Sequence, residues 1–180
     1  MSVRFGTYAG LCLLALGLNG CSSRVETRIR SDGAGVTGTP LLMWQAEADD
    51  AAPDPLLARV KEAVAGRLQE RGFRFADQAP VMLSIGVAER PGRIALQTRG
   101  DDALSPAPKR GGLFPCRPRL IRLTVSMTDS ATGRKLYGGS AEEAHCRAAF
   151  DQVMPRLAET ALADLAAPKG QRTETSPIPD

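Results

Sequence analysis

The strongest constraint on the fold of this 180-residue chain is a pair of segments on either side of one short turn. Residues 119–128 alternate between apolar and polar side chains, which places the apolar ones on a single face of a strand. The sequence Asp-Ser-Ala-Thr-Gly follows, and Gly133 can take the positive φ that a turn requires. Residues 135–145 are then predicted to return as the partner strand. The pattern therefore predicts an antiparallel hairpin with one buried face.

The other segments extend this hairpin into one α+β domain. Three further strands are predicted at residues 25–30, 40–47 and 81–87. A helix is predicted to begin after Asp54, a residue type that caps free N–H groups, and to end at Gly72. A second helix is predicted to begin after a cap at Asp151. This order of elements predicts a mostly antiparallel sheet with two helices packed on one face.

The N-terminus has the pattern of a bacterial lipoprotein signal. Arg4 supplies a positive charge, and the apolar residues 8–18 follow it. This stretch is shorter than the roughly 20 apolar residues needed to span a bilayer. It ends in Leu-Asn-Gly-Cys, with a small residue before Cys21 where a signal peptidase would cut. We expect residues 1–20 to be removed and lipid to be attached to the Cys21 thiol. An ordinary secretory signal followed by a chance cysteine is the alternative.

The expected anchor also gives an expected location. Thioether-linked acyl chains and an N-acyl chain would hold the protein firmly at a membrane, since each buried methylene contributes about 0.8 kcal/mol. Ser22 follows the cysteine, where an aspartate would favour retention at the inner membrane. We therefore expect export to the periplasmic face of the outer membrane.

Charge and length limit the class of protein. Arg4 is the only charged residue before Cys21, so residues 21–180 carry 22 basic and 20 acidic side chains. This near neutrality argues against a dedicated nucleic-acid-binding protein, which would show a strong basic excess. Residues 21–167 suffice for a single domain with a hydrophobic core. The polar residues 168–180 are predicted to be a disordered tail.

Residues 90–118 form the least regular segment. They are rich in Pro, Gly and Arg and are long for a connection inside a compact domain. One interpretation is a solvated loop. The other is a loop that contacts a partner protein or lipid headgroups, because loops often carry function. Under the second interpretation the contacting residues are the basic ones: Arg90, Arg93, Arg99, Lys109, Arg110 and Arg117.

The remaining cysteines predict a disulfide bond. Cys12 would leave with the signal and Cys21 would be lipidated, so two thiols remain, Cys116 and Cys146. The oxidising compartment favours their pairing. A hairpin folded about the predicted turn would place residue 116 opposite residue 146 or 147, within reach of a cross-strand bridge. Such a bond would stabilise the fold by roughly 3–4 kcal/mol in the chain-entropy description.

No motif in the sequence points to catalysis or to a metal. His145 is the only histidine, and it lies beside Cys146. The sequence has neither the ligand spacings typical of zinc sites nor the nucleophile-elbow motif of serine hydrolases. We therefore predict no catalytic residue, no metal and no cofactor. A hydrolase or metal-dependent enzyme that uses His145 is a less favoured alternative.

Four motifs carry a resemblance to a known family. In chain order they are the strand at residues 25–29 after the cysteine, Trp44 at the end of the second strand, Arg71-Gly72-Phe73 after the first helix, and the hairpin with Asp129, Ala131, Gly133 and Gly139. Over about residues 21–165 the chain resembles the bacterial lipoprotein family called domain of unknown function 4136. Tyr137 stands where that family often has Trp, and the basic loop and cysteine pair depart from its pattern. The resemblance implies an α+β lipoprotein and no established active site.

These observations together predict a binding protein and not an enzyme. We expect a non-catalytic accessory protein of the cell envelope, held at the membrane by its lipid and in contact with an envelope protein. The few residues between Cys21 and the first strand would keep the domain close to the membrane. A module that binds a lipid or a small molecule between the sheet and the helices is the alternative.

Overall fold

The computed structural model describes residues 24–46, 54–92, 96–97, 103–105, 118–146 and 148–177. Within these residues the protein has an α+β fold, which consists of a mixed, mostly antiparallel sheet of seven strands, a ribbon of two short strands, and two α-helices. The predicted fold class is confirmed at this level. None of the described helices is long and apolar enough to cross a membrane.

The elements follow one another along the chain as β1 (Arg24–Asp32), β2 (Leu41–Trp44), α1 (Pro55–Glu70), β3 (Arg74–Phe75), β4 (Val81–Pro91), β5 (Leu96–Gln97), β6 (Ala103–Ser105), β7 (Arg119–Asp129), β8 (Lys135–His145), α2 (Phe150–Ala161) and β9 (Gly170–Pro177). In the large sheet the strands lie side by side in the order β3-β2-β4-β7-β8-β1-β9. β2 runs parallel to β3 and β4, and the other neighbours are antiparallel. β5 and β6 form the separate ribbon.

The predicted hairpin is confirmed as β7 and β8. Its turn is held by Asp129, whose Oδ1 accepts the backbone N–H of Thr132 at 2.8 Å. Gly133 adopts a φ of 70°, as the turn requires. The register differs slightly from the predicted one, because Arg119 faces His145 and the pairing shifts at an irregularity next to the turn. Such a shift depends on local backbone geometry, which alternation along the sequence does not determine.

One hydrophobic core joins the sheet to both helices. Asp54 caps α1 as predicted, since its Oδ1 accepts the N–H of Leu56 at 2.8 Å. The buried side chains come from α1 (Val60, Val64, Leu68), from α2 (Val153, Met154, Leu157, Ala158, Ala161) and from the strands (Leu83, Ile121, Leu123, Val125, Met127, Tyr137, Ala141). The core therefore depends on the alternating face of the hairpin and on one stripe of each helix.

The start of α2 differs from the prediction. Asp151 is not its cap, because Ala149 occupies that position and the side chain of Gln152 accepts the Ala149 N–H at 3.1 Å. Asp151 lies in the first turn of α2 and accepts hydrogen bonds from Arg59 of α1 at 2.9 Å. It thus links the two helices at the surface.

The predicted disordered tail is wrong for residues 170–177, which form β9. This strand pairs with β1 from Arg24 opposite Pro177 to Ser31 opposite Gly170. It is an edge strand with mostly exposed side chains, so main-chain hydrogen bonds hold it and few apolar residues are needed. A composition-based prediction of disorder looks for those apolar residues and misses such a strand.

Candidate functional site

The two faces of the sheet differ in chemistry, and β8 shows the difference clearly. Its odd-numbered side chains face α2: the hydroxyl of Tyr137 donates to the carbonyl oxygen of Ala161 at 2.6 Å, and Glu143 binds Arg156. Successive side chains of a strand point to opposite faces. Ser140 and Glu142 therefore lie on the face that points away from α2.

Four arginines surround Ser140 and Glu142 on that second face. Arg28 and Arg30 come from β1, Arg122 from β7 and Arg90 from β4. The cross-strand register aligns them, because Arg28 and Arg122 are both opposite Glu142 and Arg30 is opposite Ser140. We call this surface, defined by the four arginines with Ser140 and Glu142, the arginine face.

Glu142 forms the centre of an ion-pair cluster on the arginine face. Its side chain is 6% exposed, and its Oε1 lies 3.2 Å from Nη1 of Arg28. Its Oε2 lies 3.7 Å from Nη2 of Arg90. Arg28 also approaches Glu26 at 3.4 Å. Two guanidinium groups therefore share one buried carboxylate, which holds three strands together.

The position of Arg90 corrects the prediction that it belongs to a partner-binding loop. β4 extends to Pro91 and stays paired with β7 throughout, so Arg90 lies opposite Leu120 within the sheet. Its side chain is 12% exposed and is engaged with Glu142. The other basic residues predicted for that loop lie outside the described residues: Arg93, Arg99, Lys109, Arg110 and Arg117.

A shallow pocket on the arginine face is lined by residues of β1, β7, β8 and β9. Its described lining includes Arg28, Arg30, Arg122, Ser140, Glu142 and Gln171. Nη2 of Arg122 lies 3.4 Å from the hydroxyl oxygen of Ser140. Within the part of the chain that the structure describes, neither Arg30 nor Arg122 forms an ion pair with an acidic side chain. The pocket therefore has a local excess of positive charge.

The face toward α2 contains a buried network around Glu143. This side chain is fully buried, and it accepts hydrogen bonds from the hydroxyl of Thr27 at 2.6 Å and from Arg156. Its Oε2 lies 2.9 Å from Nε2 of His145. Burial alone would raise the pKa of Glu143, but the bonds to His145, Thr27 and Arg156 together hold that pKa below its ordinary value. The carboxylate thus joins β1, β8 and α2.

The geometry around His145 bears on the predicted alternative of an enzyme. His145 is 5% exposed and its Nε2 is engaged by Glu143. No group of three or more potential metal ligands is found among the described residues. His145 therefore belongs to a network that links elements of the fold.

A second buried carboxylate, Asp164, fastens β9 to the rest of the domain. It accepts the hydroxyl of Ser31 at 2.8 Å and binds Arg172 of β9. Ser31 in turn accepts the backbone N–H of Lys169 at 2.9 Å. Burial would raise the pKa of Asp164, but the hydrogen bonds from Arg172 and Ser31 hold it below its ordinary value.

Of the cysteines predicted to form the disulfide or to carry the lipid, Cys146 alone lies within the described residues. Cys21 and Cys116 lie outside the described residues. Cys146 directly follows β8 and is not a free thiol. The observed register, carried one residue past His145, sets Cys146 opposite position 118 and so differs from the predicted alignment with residue 116. The pairing of Cys116 with Cys146 stays a prediction.

Sequence reasoning missed the arginine face. Arg28, Arg30 and Arg122 occupy the polar positions of alternating strands, where solvent exposure is the usual interpretation. The signal that could have found them is their repetition at every second residue of β1, combined with the polar face of the hairpin. Only the register between β1, β8 and β7 brings these positions together.

Comparisons with known proteins agree with the fold and leave the family open. No protein-family model matches the chain, and no curated protein matches it in sequence. A PDZ domain protein from Parabacteroides distasonis is similar in structure, with a TM-score of 0.52, 9% identity and 86% of this chain covered. The match spans 39% of that protein's chain. The PelC dodecamer from Paraburkholderia phytofirmans has a TM-score of 0.50 and 16% identity, and the match covers 79% of this chain and 99% of PelC. At these identities the likeness concerns the fold alone.

Proposed function

We propose that this chain is a lipoprotein anchored through Cys21 at the periplasmic face of the outer membrane, where its domain acts by binding and not by catalysis. The proposal includes membership of the lipoprotein family called domain of unknown function 4136. The lipoprotein signal at Leu-Asn-Gly-Cys is the observation that carries it. β1 begins at Arg24, three positions after Cys21. At about 3.3–3.6 Å per residue, the linker lets the domain move only about 10 Å from its anchor.

The arginine face is the surface that we propose for binding. In this proposal both helices pack on the opposite face, which would leave the arginine face clear of them. Three observations support that arrangement: the helices share one core with the strands, Arg59 binds Asp151, and Arg71 binds Glu159 at 3.2 Å. Arginine is well suited to recognition because its planar fork of donors matches anionic groups.

The alternative is a module that binds a lipid or a small molecule between the sheet and the helices. Large side chains already occupy much of that space, since Tyr137, Met127, Leu157 and Leu162 are each no more than 1% exposed. A ligand there would have to displace close-packed atoms, which is costly. We therefore prefer binding at the arginine face to binding inside the core.

The anchor is tested by fatty-acid labelling of the full-length protein in the cells of a Gram-negative bacterium. Cys21→Ser is expected to abolish labelling and to leave the signal uncut, while Cys12→Ser, the matched control within the signal, should label normally. Fractionation should place the labelled protein with the outer membrane. Unlipidated protein in the soluble periplasm, or labelling that survives Cys21→Ser, would refute the anchor.

The binding surface is tested by photo-crosslinking in the same cells. A crosslinking residue at Thr173, which is exposed on β9 opposite Arg28, should give one defined adduct. The same residue at Glu62, exposed on α1, is the control and should give none. A second copy of this chain is one adduct that we look for, because the PelC neighbour is a dodecamer. Equal adducts from both positions, or no adduct from Thr173, would contradict contact between this face and a protein partner.

A further inference from the structure

We propose that the pocket bounded by Arg28, Arg30 and Arg122 binds a phosphate group. This inference rests on the proposed function, because it assigns a ligand chemistry to the surface proposed there for binding. Three features of the pocket carry it: the convergence of guanidinium groups from two strands, the unbalanced positive charge, and the buried hydroxyl between them.

The sheet register brings the guanidinium groups together over β8. Arg30 lies opposite Ser140 on one side of β8, and Arg122 lies opposite Glu142 on the other side. Neighbouring strands are about 4.8 Å apart, so β1 and β7 are separated by about 10 Å. Two long arginine side chains, one from each strand, can both reach a ligand above Ser140. Gln171 of β9 adds an amide at the rim of the pocket.

The charges in the pocket are unequal. Glu142 is the one acidic residue in its described lining, and its two oxygens are already engaged by Arg28 and Arg90. Within the described residues, Arg122 has a neutral hydroxyl as its hydrogen-bond partner, and Arg30 has no acidic one. Positive charges in close proximity repel one another. An anionic ligand would relieve that repulsion.

The arrangement of donors favours a phosphate over a carboxylate. One guanidinium fork satisfies the two oxygens of a carboxylate in a planar, bidentate contact. The pocket presents forks from two strands together with the hydroxyl of Ser140 and the amide of Gln171. A tetrahedral group with several anionic oxygens can accept from all of these donors at once. Ser140 is 7% exposed and Glu142 is 5% exposed, so the floor of the pocket is built into the sheet and its donors are held in place.

Two sources of phosphate fit this chemistry, a lipid headgroup and a soluble phosphate. Arg30 is nine residues after Cys21, which places it within about 32 Å of the proposed anchor even if every intervening residue is extended. Headgroups of the membrane to which the protein is anchored are therefore within reach.

The test uses the lipidated protein, purified in an uncharged detergent and titrated with inorganic phosphate in a calorimeter at fixed ionic strength. Phosphate should bind saturably, and acetate should bind more weakly. Arg30→Gln and Arg122→Gln should each weaken phosphate binding roughly tenfold or more, which corresponds to about 1.4 kcal/mol. Arg74→Gln is the matched control, because it removes the same charge from an exposed position on β3 and should leave binding unchanged.

The source of the phosphate is read from a competition in the same cell. Mixed micelles that contain phosphatidylglycerol should displace inorganic phosphate if headgroups are the ligand, whereas micelles with diacylglycerol, which lacks phosphate, should not. Displacement assigns the site to headgroups, and its absence assigns it to soluble phosphate. Arg30 is exposed, so Arg30→Gln should remain folded even if Arg122→Gln does not.

The proposal is overturned if phosphate and phosphatidylglycerol both fail to bind, if acetate binds as tightly as phosphate, or if Arg74→Gln weakens binding as much as Arg30→Gln. Failure of the proposed anchor would show separately, because the fatty-acid labelling depends on Cys21 and not on the arginines. A protein that is labelled at Cys21 and ignores phosphate would retain its anchor and lose this inference.

Discussion

Removing the carboxylate of Glu143 should destabilise the domain more than removing any exposed acidic group. Glu143 is fully buried and engages three partners: Thr27, His145 and Arg156. Glu143→Ala would leave a hydroxyl and an imidazole without their partner, and it would leave Arg156 without its counter-charge. The side chain of Arg156 is 25% exposed, so water can solvate its guanidinium only in part.

The size of the loss follows from these contacts. Breaking a buried ion pair by removing one partner costs about 3–5 kcal/mol. Because Arg156 can partly reach water, we expect Glu143→Ala to cost about 3 kcal/mol, at the low end of that range. For a domain of this size each kcal/mol lowers Tm by roughly 2–4 °C, so Tm should fall by about 6–12 °C. Glu89→Ala is the control, since Glu89 is 40% exposed in its ion pair with Arg119 and should cost less than about 1 kcal/mol.

The measurement is thermal or urea unfolding of the two variants and of Glu143→Gln, repeated across acidic pH. The pKa of Glu143 is lower in the folded protein than its ordinary value of 4.5. Its charge therefore stabilises the fold above about pH 4.5, and this contribution is lost as the pH falls through the folded-state pKa. The stability gap between wild type and Glu143→Gln should stay constant at neutral pH and close in acid. A loss from Glu143→Ala no larger than from Glu89→Ala would refute the argument.

Three further predictions concern packing and the edge of the sheet. In an unfolding assay, Gly139→Ala should destabilise the domain by several kcal/mol, because a Cβ there would clash with the side chain of Tyr137 and with the last carbonyl of α2. Gly66→Ala is the control: its Cβ would meet no atom within 4 Å, so stability should stay equal or rise by up to about 1 kcal/mol. Burial raises the pKa of Tyr137 to about 12, so an ultraviolet titration of the protein without residues 1–20 should show no tyrosinate at pH 10.5; ionisation near 10 would contradict this burial. Asp164→Asn should lower hydrogen-exchange protection of residues 170–177 and leave that of α1 unchanged; protection lost equally in both would show that Asp164 does more than hold the edge strand.

The hairpin shows how far the sequence predicts this fold. Alternation over residues 119–128 and the Asp129–Gly133 turn identify two paired strands, because a strand with one buried face must repeat every second residue. The register is not predictable in the same way. It depends on where one irregularity falls, and a shift of a single residue changes which side chains meet across the pair. For this reason the predicted alignment of position 116 with Cys146 differs from the observed register.

The tail and the candidate site were unpredictable for a related reason. β9 is polar because an edge strand needs backbone partners more than apolar side chains. Its side chain Arg172 binds Asp164, which follows α2, and no sequence pattern predicts this contact. Arg30 and Arg122 are 92 positions apart in the sequence. Their proximity follows from β1 and β7 flanking the same strand, which is a property of topology and not of local propensity.

The two faces of the sheet use charge in opposite ways. On the face toward α2, donors match each buried carboxylate: Glu143 binds Thr27 of β1 and Arg156 of α2, and Asp164 binds Ser31 of β1 and Arg172 of β9. On the arginine face, Arg28 and Arg90 suffice to neutralise Glu142, so Arg30 adds repulsion without a structural partner among the described residues.

A residue kept for a ligand and not for the fold should be removable without loss of stability, because binding sites often cost the free protein some stability. Arg30→Gln should therefore leave the Tm of the ligand-free protein unchanged or raise it slightly, and it should reduce the rise in Tm that phosphate causes in the wild type. The shift in wild type grows with the logarithm of phosphate concentration above the Kd. A fall of several degrees in the ligand-free variant would instead show that Arg30 serves the fold, and the excess charge would need another explanation.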